Sequence, residues 1–158
     1  MLAPLLAVAL LLFLLWKLFR FSMGLRYSKL VREEARRAEE ARGRRVVAEV
    51  PTESGELVLF LEDSEGFYWA GNETRKRELL GARLRLNGAT VAEAARAGFA
   101  PPAPRAAGEY EARERWDVLL YRSPGAPVAV ACGSLREGVS REAATRVFEA
   151  VRSALEGK

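Results

Sequence analysis

The side chains that carry most enzymatic chemistry are sparse in this 158-residue chain, and one type is missing: it contains no histidine. Without an imidazole the chain cannot assemble a Ser-His-Asp or Cys-His pair or a histidine proton shuttle, and most zinc sites lose a usual ligand. The single cysteine, Cys132, stands in an apolar run followed by Gly133 and Ser134, with Arg136 the nearest cation in sequence. No histidine can activate it, so a small buried core residue is the expected role. One cysteine also precludes an intramolecular disulfide, which fits a reducing compartment. Asp117, between Trp116 and Val118, could be a pocket carboxylate, although strand alternation directs it toward water. Glu109, Glu111 and Glu114 are too dispersed for a carboxylate pair. An acid–base site would need a pocket that gathers at least two of Asp117, Glu109, Glu111 and Arg115. The glycines form neither GxGxxG nor GxxxxGK[ST], so no phosphate cradle is encoded. No metal and no cofactor are expected.

The one basic cluster within the β-rich part is Arg75-Lys76-Arg77, which follows Phe67-Tyr68-Trp69 by a few residues. Cations beside aromatics can bind a lipid headgroup or a peptide. The same run also fits a solvated turn next to a strand whose aromatics are core.

Charge is localised. Between Lys17 and Arg45 there are ten basic and four acidic residues, a balance of +6, whereas Val46 to Lys158 holds fifteen basic and seventeen acidic, a balance of −2. The overall +4 therefore belongs to the stretch beside the apolar N-terminal run, which favours an anionic membrane surface over nucleic acid as electrostatic partner.

Leu2 to Trp16 is uncharged, but as a helix it spans only about 22 Å. Continued to Met23 it reaches about 33 Å, enough for a hydrocarbon core of about 30 Å. Residues 1–23 are thus read as a transmembrane anchor, with Trp16, Lys17, Arg20, Arg26 and Lys29 at the membrane interface. The basic residues follow the segment, so the N-terminus is expected outside and the rest in the cytoplasm of a single-pass protein of the cell membrane. A cleaved signal peptide is the alternative, supported by Ser22-Met23-Gly24 but opposed by the lack of a charged n-region. Residues 24–45 read as a basic juxtamembrane helix or linker, rich in Ala, Arg and Glu with Glu33/Arg37 and Arg36/Glu40 pairs four apart, and stopped by Gly43.

Residues 46–158 read as a soluble β-rich domain. Val46 to Val50, Leu57 to Leu61 (apolar on both faces) and Phe67 to Trp69 are strand-like. Asn87-Gly88 is the favoured pair for a type I′ hairpin, pairing Leu86 with Ala89, Arg85 with Thr90 and Leu84 with Val91. Ala97 to Gly108, with three prolines, is a loop. Trp116 to Tyr121 and Val128 to Cys132 form a second hairpin. Ser140 is a candidate N-cap for a final amphipathic helix carrying Ala144, Val147, Phe148, Val151, Ala154 and Leu155. The fold class is α+β: an N-terminal transmembrane helix and a charged stalk helix precede a roughly seven-stranded antiparallel barrel or sandwich capped by the C-terminal helix.

That order of elements, over Val46 to Leu155, resembles the pleckstrin-homology-like superfold. Phosphoinositide-binding members of that family place lysines and arginines between the first two strands. Here Pro51-Thr52-Glu53-Ser54-Gly55-Glu56 carries two glutamates and no basic residue, so the resemblance does not extend to that ligand. The function expected from the sequence is a non-enzymatic interaction module at the membrane, with the bilayer and a protein as partners and no nucleic acid. A lipid-headgroup or small-ligand binder using Arg75, Lys76 and Arg77 is the alternative.

Overall fold

The computed structural model describes residues 13–14, 16–17, 30–52, 56–103, 114–133 and 137–157. The chain divides into two units, Met1–Arg42 and Gly43–Lys158.

In the first unit the longest described element is helix α1, residues 30–41. Twelve residues rise only about 18 Å, and most of these are charged or alanine, with Leu30 and Val31 exposed. Just past its end the Arg42 N–H donates to the Glu39 carbonyl at 3.0 Å and the Arg42 side chain pairs with that of Glu39 at 2.8 Å. Among the described residues no helix is long and apolar enough to cross a membrane. That finding overturns the transmembrane helix, and with it the single-pass membrane location and the N-outside orientation expected from the sequence. Of the expected anchor only Phe13, Leu14, Trp16 and Lys17 are described. Of the interface residues, Trp16 is half exposed and Lys17 lies 5.4 Å from the Phe13 ring centroid. Arg20, Arg26 and Lys29 lie outside the described residues.

The second unit begins with an antiparallel meander, β1 (Arg45–Pro51), β2 (Leu57–Glu62), β3 (Gly66–Trp69) and β4 (Asn72–Arg75). The turn between β2 and β3 is built by Asp63, whose Oδ1 accepts the Glu65 and Gly66 N–H groups at 2.8 and 2.9 Å and the Tyr68 hydroxyl at 3.3 Å. Burial pushes the Asp63 carboxyl up, but these donors and the Arg44 charge outweigh it and hold the group below its ordinary value. Between β3 and β4 the chain reverses at Ala70-Gly71, both at positive φ (45° and 76°), the geometry of a type I′ turn. A 3-10 turn, Lys76–Glu78, leads into the second sheet.

The second sheet has the order β6-β5-β7-β8, from β5 (Leu79–Leu86), β6 (Ala89–Ala95), β7 (Trp116–Arg122) and β8 (Val128–Gly133). Asn87-Gly88 makes the I′ turn, and Leu86 pairs with Ala89 and Arg85 with Thr90. Beyond them the register departs from the sequence expectation. Leu84 pairs with Ala92 rather than Val91, because a bulge between Leu84 and Arg85 leaves Val91 as the extra residue, half exposed. The final helix, α2, spans Glu137–Leu155, so Ser140 is buried within it rather than serving as its cap.

The expected roughly seven-stranded barrel or sandwich is corrected to, among the described residues, eight strands in two antiparallel four-stranded sheets that do not form a closed barrel. The additional strand is β4, Asn-Glu-Thr-Arg, whose polar composition hides it from a hydrophobic pattern. The core lies between the sheets and α2, which packs on β5, β1, β7 and β8. Phe60 stacks with Phe67 (5.7 Å) and meets Trp69 (5.3 Å). Ala144, Val147 and Val151 of α2 face this core at helical spacing, all fully buried.

Candidate functional site

Each strand of the second sheet turns alternate residues toward the core. On β8, Val128, Val130 and Cys132 face inward and leave Ala129 and Ala131 exposed on the other face. These two alanines form one side of a cleft of about 540 Å³. Its other walls are Pro51 and Thr52 at the end of β1, and Trp69, Ala70 and Asn72 of the β3–β4 hairpin. The I′ turn at Ala70-Gly71 sets this hairpin, and the contacts of Trp69 with Phe60 hold the indole in place. Gly133 settles the end of β8: it sits at φ +89°, and a Cβ there would meet Pro51 Cγ at 2.9 Å. Small side chains on β8 make the space, while proline and tryptophan give it rigid apolar walls. Thr52, whose Oγ1 accepts the Glu56 N–H at 3.2 Å, and Asn72, whose Nδ2 donates to the Ala70 carbonyl at 3.4 Å, add neutral polar groups.

Among the described residues no Asp, Glu, Lys, Arg or Cys lines the cleft. Its described walls suit binding through apolar contact and neutral hydrogen bonds.

Charged side chains on the second sheet are engaged with one another. On the outward face of the second sheet, Arg83 of β5 is buried and donates to Glu93 of β6 at 2.7 Å and to the Pro102 carbonyl at 2.8 Å. Arg85 pairs with Asp117 of β7 at 2.5 Å, so Asp117 is buried against a guanidinium instead of facing water. Residues 96–103 fold over this face. Phe99 lies 5.7 Å from the Tyr121 ring and directly over Gly81, where a Cβ would come within 3.2 Å of Phe99 Cε1. Asp117 and Arg115 therefore converge on no described pocket. Glu109 and Glu111 lie outside the described residues.

The structure separates Arg75, Lys76 and Arg77. Arg75 pairs with Glu73 at 3.4 Å on β4. Lys76 reaches Glu62 at 2.9 Å and rests 5.5 Å from the Phe67 ring. Arg77 is exposed on the 3-10 turn, and the backbone carbonyls of Lys76 and Arg77 accept from Arg96. The three cations thus do not converge on one anion-sized site. Among the described residues no group of three or more His, Cys, Asp or Glu could hold a metal ion. Among the described residues two buried polar atoms, Thr74 Oγ1 and Trp116 Nε1, lack a protein partner, and neither residue lines the cleft.

Cys132 is buried, and burial together with the Asp117 charge pushes its thiol up to about 12. The native protein at mildly alkaline pH should therefore react with Ellman's reagent about a hundredfold more slowly than a free thiol, and at full rate once denatured. Fast labelling of the folded chain would show that β8 opens readily.

The cleft escaped the sequence because its walls come from three separated segments. Its legible traces are the Ala-Gly pair after Trp69 and the small outward residues of Val-Ala-Val-Ala-Cys.

No known protein family, no curated protein and no solved structure matches this chain.

Proposed function

We propose that this protein is a non-enzymatic interaction module whose β-rich unit takes a partner protein at the cleft between β8, the end of β1 and the β3–β4 turn. The observation that carries this is a cleft of about 540 Å³ whose described walls offer an indole, a proline, alanines and two neutral polar side chains, with no ionisable group among the described residues. Such a surface suits binding and leaves proton transfer and nucleophilic attack unsupported. The Arg85–Asp117 pair is consistent with the same role, since it ties β5 to β7 beside the strand that lines the cleft.

A photo-reactive amino acid placed at Ala131 of the full chain, in cells, tests this. Val91, exposed on the opposite edge of the same sheet, is the control. A discrete protein adduct is expected from position 131, absent from 91, and lost when Ala129→Arg fills the cleft. Equal adducts at both positions, or none at 131, would sink the proposal.

A further inference from the structure

Phe13, Leu14 and Trp16 are helical and about half exposed. At about 3.6 residues per turn, Trp16, Phe13, Lys17 and Leu14 stand side by side within about 160° of arc. The Phe13 and Trp16 ring centroids lie 6.4 Å apart, and the Lys17 ammonium lies 5.4 Å from the Phe13 ring centroid. Contiguous exposed apolar groups beside a cation mark an interaction surface. The charge that adjoins this patch has one sign. Lys17 to Lys29 holds four basic residues, Lys17, Arg20, Arg26 and Lys29, and no acidic one, whereas Leu30 to Arg42 balances four arginines with four glutamates. The positive excess of the first unit therefore belongs to the aromatic patch and its sequence neighbours, and α1 contributes none of it.

We infer that the first unit attaches this protein to the surface of an anionic lipid bilayer, with Phe13, Leu14 and Trp16 set into the boundary between headgroups and acyl chains and Lys17 among the headgroups. An indole has an apolar body and a polar N–H, so it settles at that boundary, while phenylalanine and leucine bury apolar surface just beneath it. A lysine stem lies along such a patch and carries its ammonium out to phosphate, and Lys17 already sits over Phe13 in that manner. Charge complementarity selects the lipid. Four cations without an acid among them are drawn to a negative surface potential, and a zwitterionic surface offers them no net field. A nucleic acid duplex presents phosphate charge but no apolar layer for Phe13 and Leu14 to enter, so it would satisfy only the cationic half of the patch. The inference is independent of the cleft.

The full chain can be floated with vesicles of phosphatidylcholine alone and of phosphatidylcholine mixed with phosphatidylserine. Binding to the mixed vesicles should be at least about tenfold tighter and should weaken at high salt, as screening requires. Lys17→Ala should reduce it about fivefold, and Phe13→Asp should abolish it. Tryptophan fluorescence locates the contact, because Trp16 is 54% exposed whereas Trp69 and Trp116 are 6% exposed. Bound to vesicles containing brominated lipid, the chain should lose the part of its emission that comes from Trp16, and Trp16→Phe should remove that quenching while it keeps flotation. Slow labelling of the buried Cys132 in every variant confirms that the β-rich unit stays folded. Equal binding to neutral and anionic vesicles, or binding that salt leaves unchanged, would overturn the charge selection and the inference with it. Flotation without quenching of Trp16 would show that another surface makes the contact. A DNA duplex bound as tightly as the mixed vesicles, with Phe13→Asp without effect, would make the basic run a general polyanion site and overturn the lipid assignment.

Discussion

Replacing Phe60 with alanine is expected to destabilise the β-rich unit by about 3–5 kcal/mol, seen as a lower denaturation midpoint with an unchanged slope. Phe60 is fully buried and is the shared neighbour of Phe67 and Trp69, at ring separations of 5.7 and 5.3 Å. Truncation removes the transfer free energy of the ring and leaves a cavity among aromatics that cannot easily collapse, because Phe67 and Trp69 are held by β3 in its pairing with β2 and β4. Against a typical total of about 5–15 kcal/mol this is a large share. The change should also reach the cleft, since Trp69 is one of its walls. A smaller change, Phe60→Leu, should cost less. Phe60→Ala costing under about 1 kcal/mol would mean that the aromatic cluster is not tightly packed.

Arg83→Ala is expected to cost about 2–3 kcal/mol and to loosen the segment over the outer face of the second sheet. The guanidinium is buried on β5, donates to both Glu93 and the Pro102 carbonyl, and lies 5.6 Å from the Tyr121 ring centroid. Its removal takes away the charge partner of Glu93 and orphans a carbonyl. The loss stays below that of a fully buried pair because the Glu93 side chain is 37% exposed and water can replace its partner. Arg83→Met keeps an apolar stem over Tyr121 and should recover part of the loss. The distinguishing measurement is hydrogen exchange. The amides of Arg96 and Phe99, bonded to the Leu80 and Arg96 carbonyls, should exchange faster in both variants, while those of α2 change only with global stability. Unaltered exchange at Arg96 and Phe99 would show that residues 96–103 are held by Phe99 on Gly81 and Tyr121 instead.

Local signals in the chain proved dependable where one turn or one alternation decides the structure. Asn87-Gly88 encodes its hairpin because only a few residues tolerate two successive positive φ values. Cys132, set among valines and alanines, reads as buried from its neighbours alone. Where the outcome depends on two distant segments, local pattern was a poor guide. Asp117 alternates as an outward residue, yet Arg85 from another strand and residues from 96 onward make that outward face partly interior. The Leu84–Val91 pairing failed by one residue because a bulge is decided by how the sheet twists as well as by the turn. The Arg75 cluster looked like one site on paper. In the fold, a 3-10 turn sends Lys76 to Glu62 while Arg75 stays with Glu73.

By itself the sequence determined which chemistry is missing and where the charge lies. Absent imidazole and an isolated cysteine bar whole reaction classes whatever the fold, and a +6 segment beside a near-neutral domain is a matter of composition. The tertiary structure decided everything that requires two strands to meet. It made, among the described residues, eight strands in two open sheets where a roughly seven-stranded barrel or sandwich was expected, left no described helix able to cross a membrane, and set Pro51, Trp69 and Ala131 around one cleft. The physical reason is that composition and periodicity act through neighbours within a few residues. An edge strand or a cleft exists only once loop closure has brought segments tens of residues apart to hydrogen-bonding and packing distance.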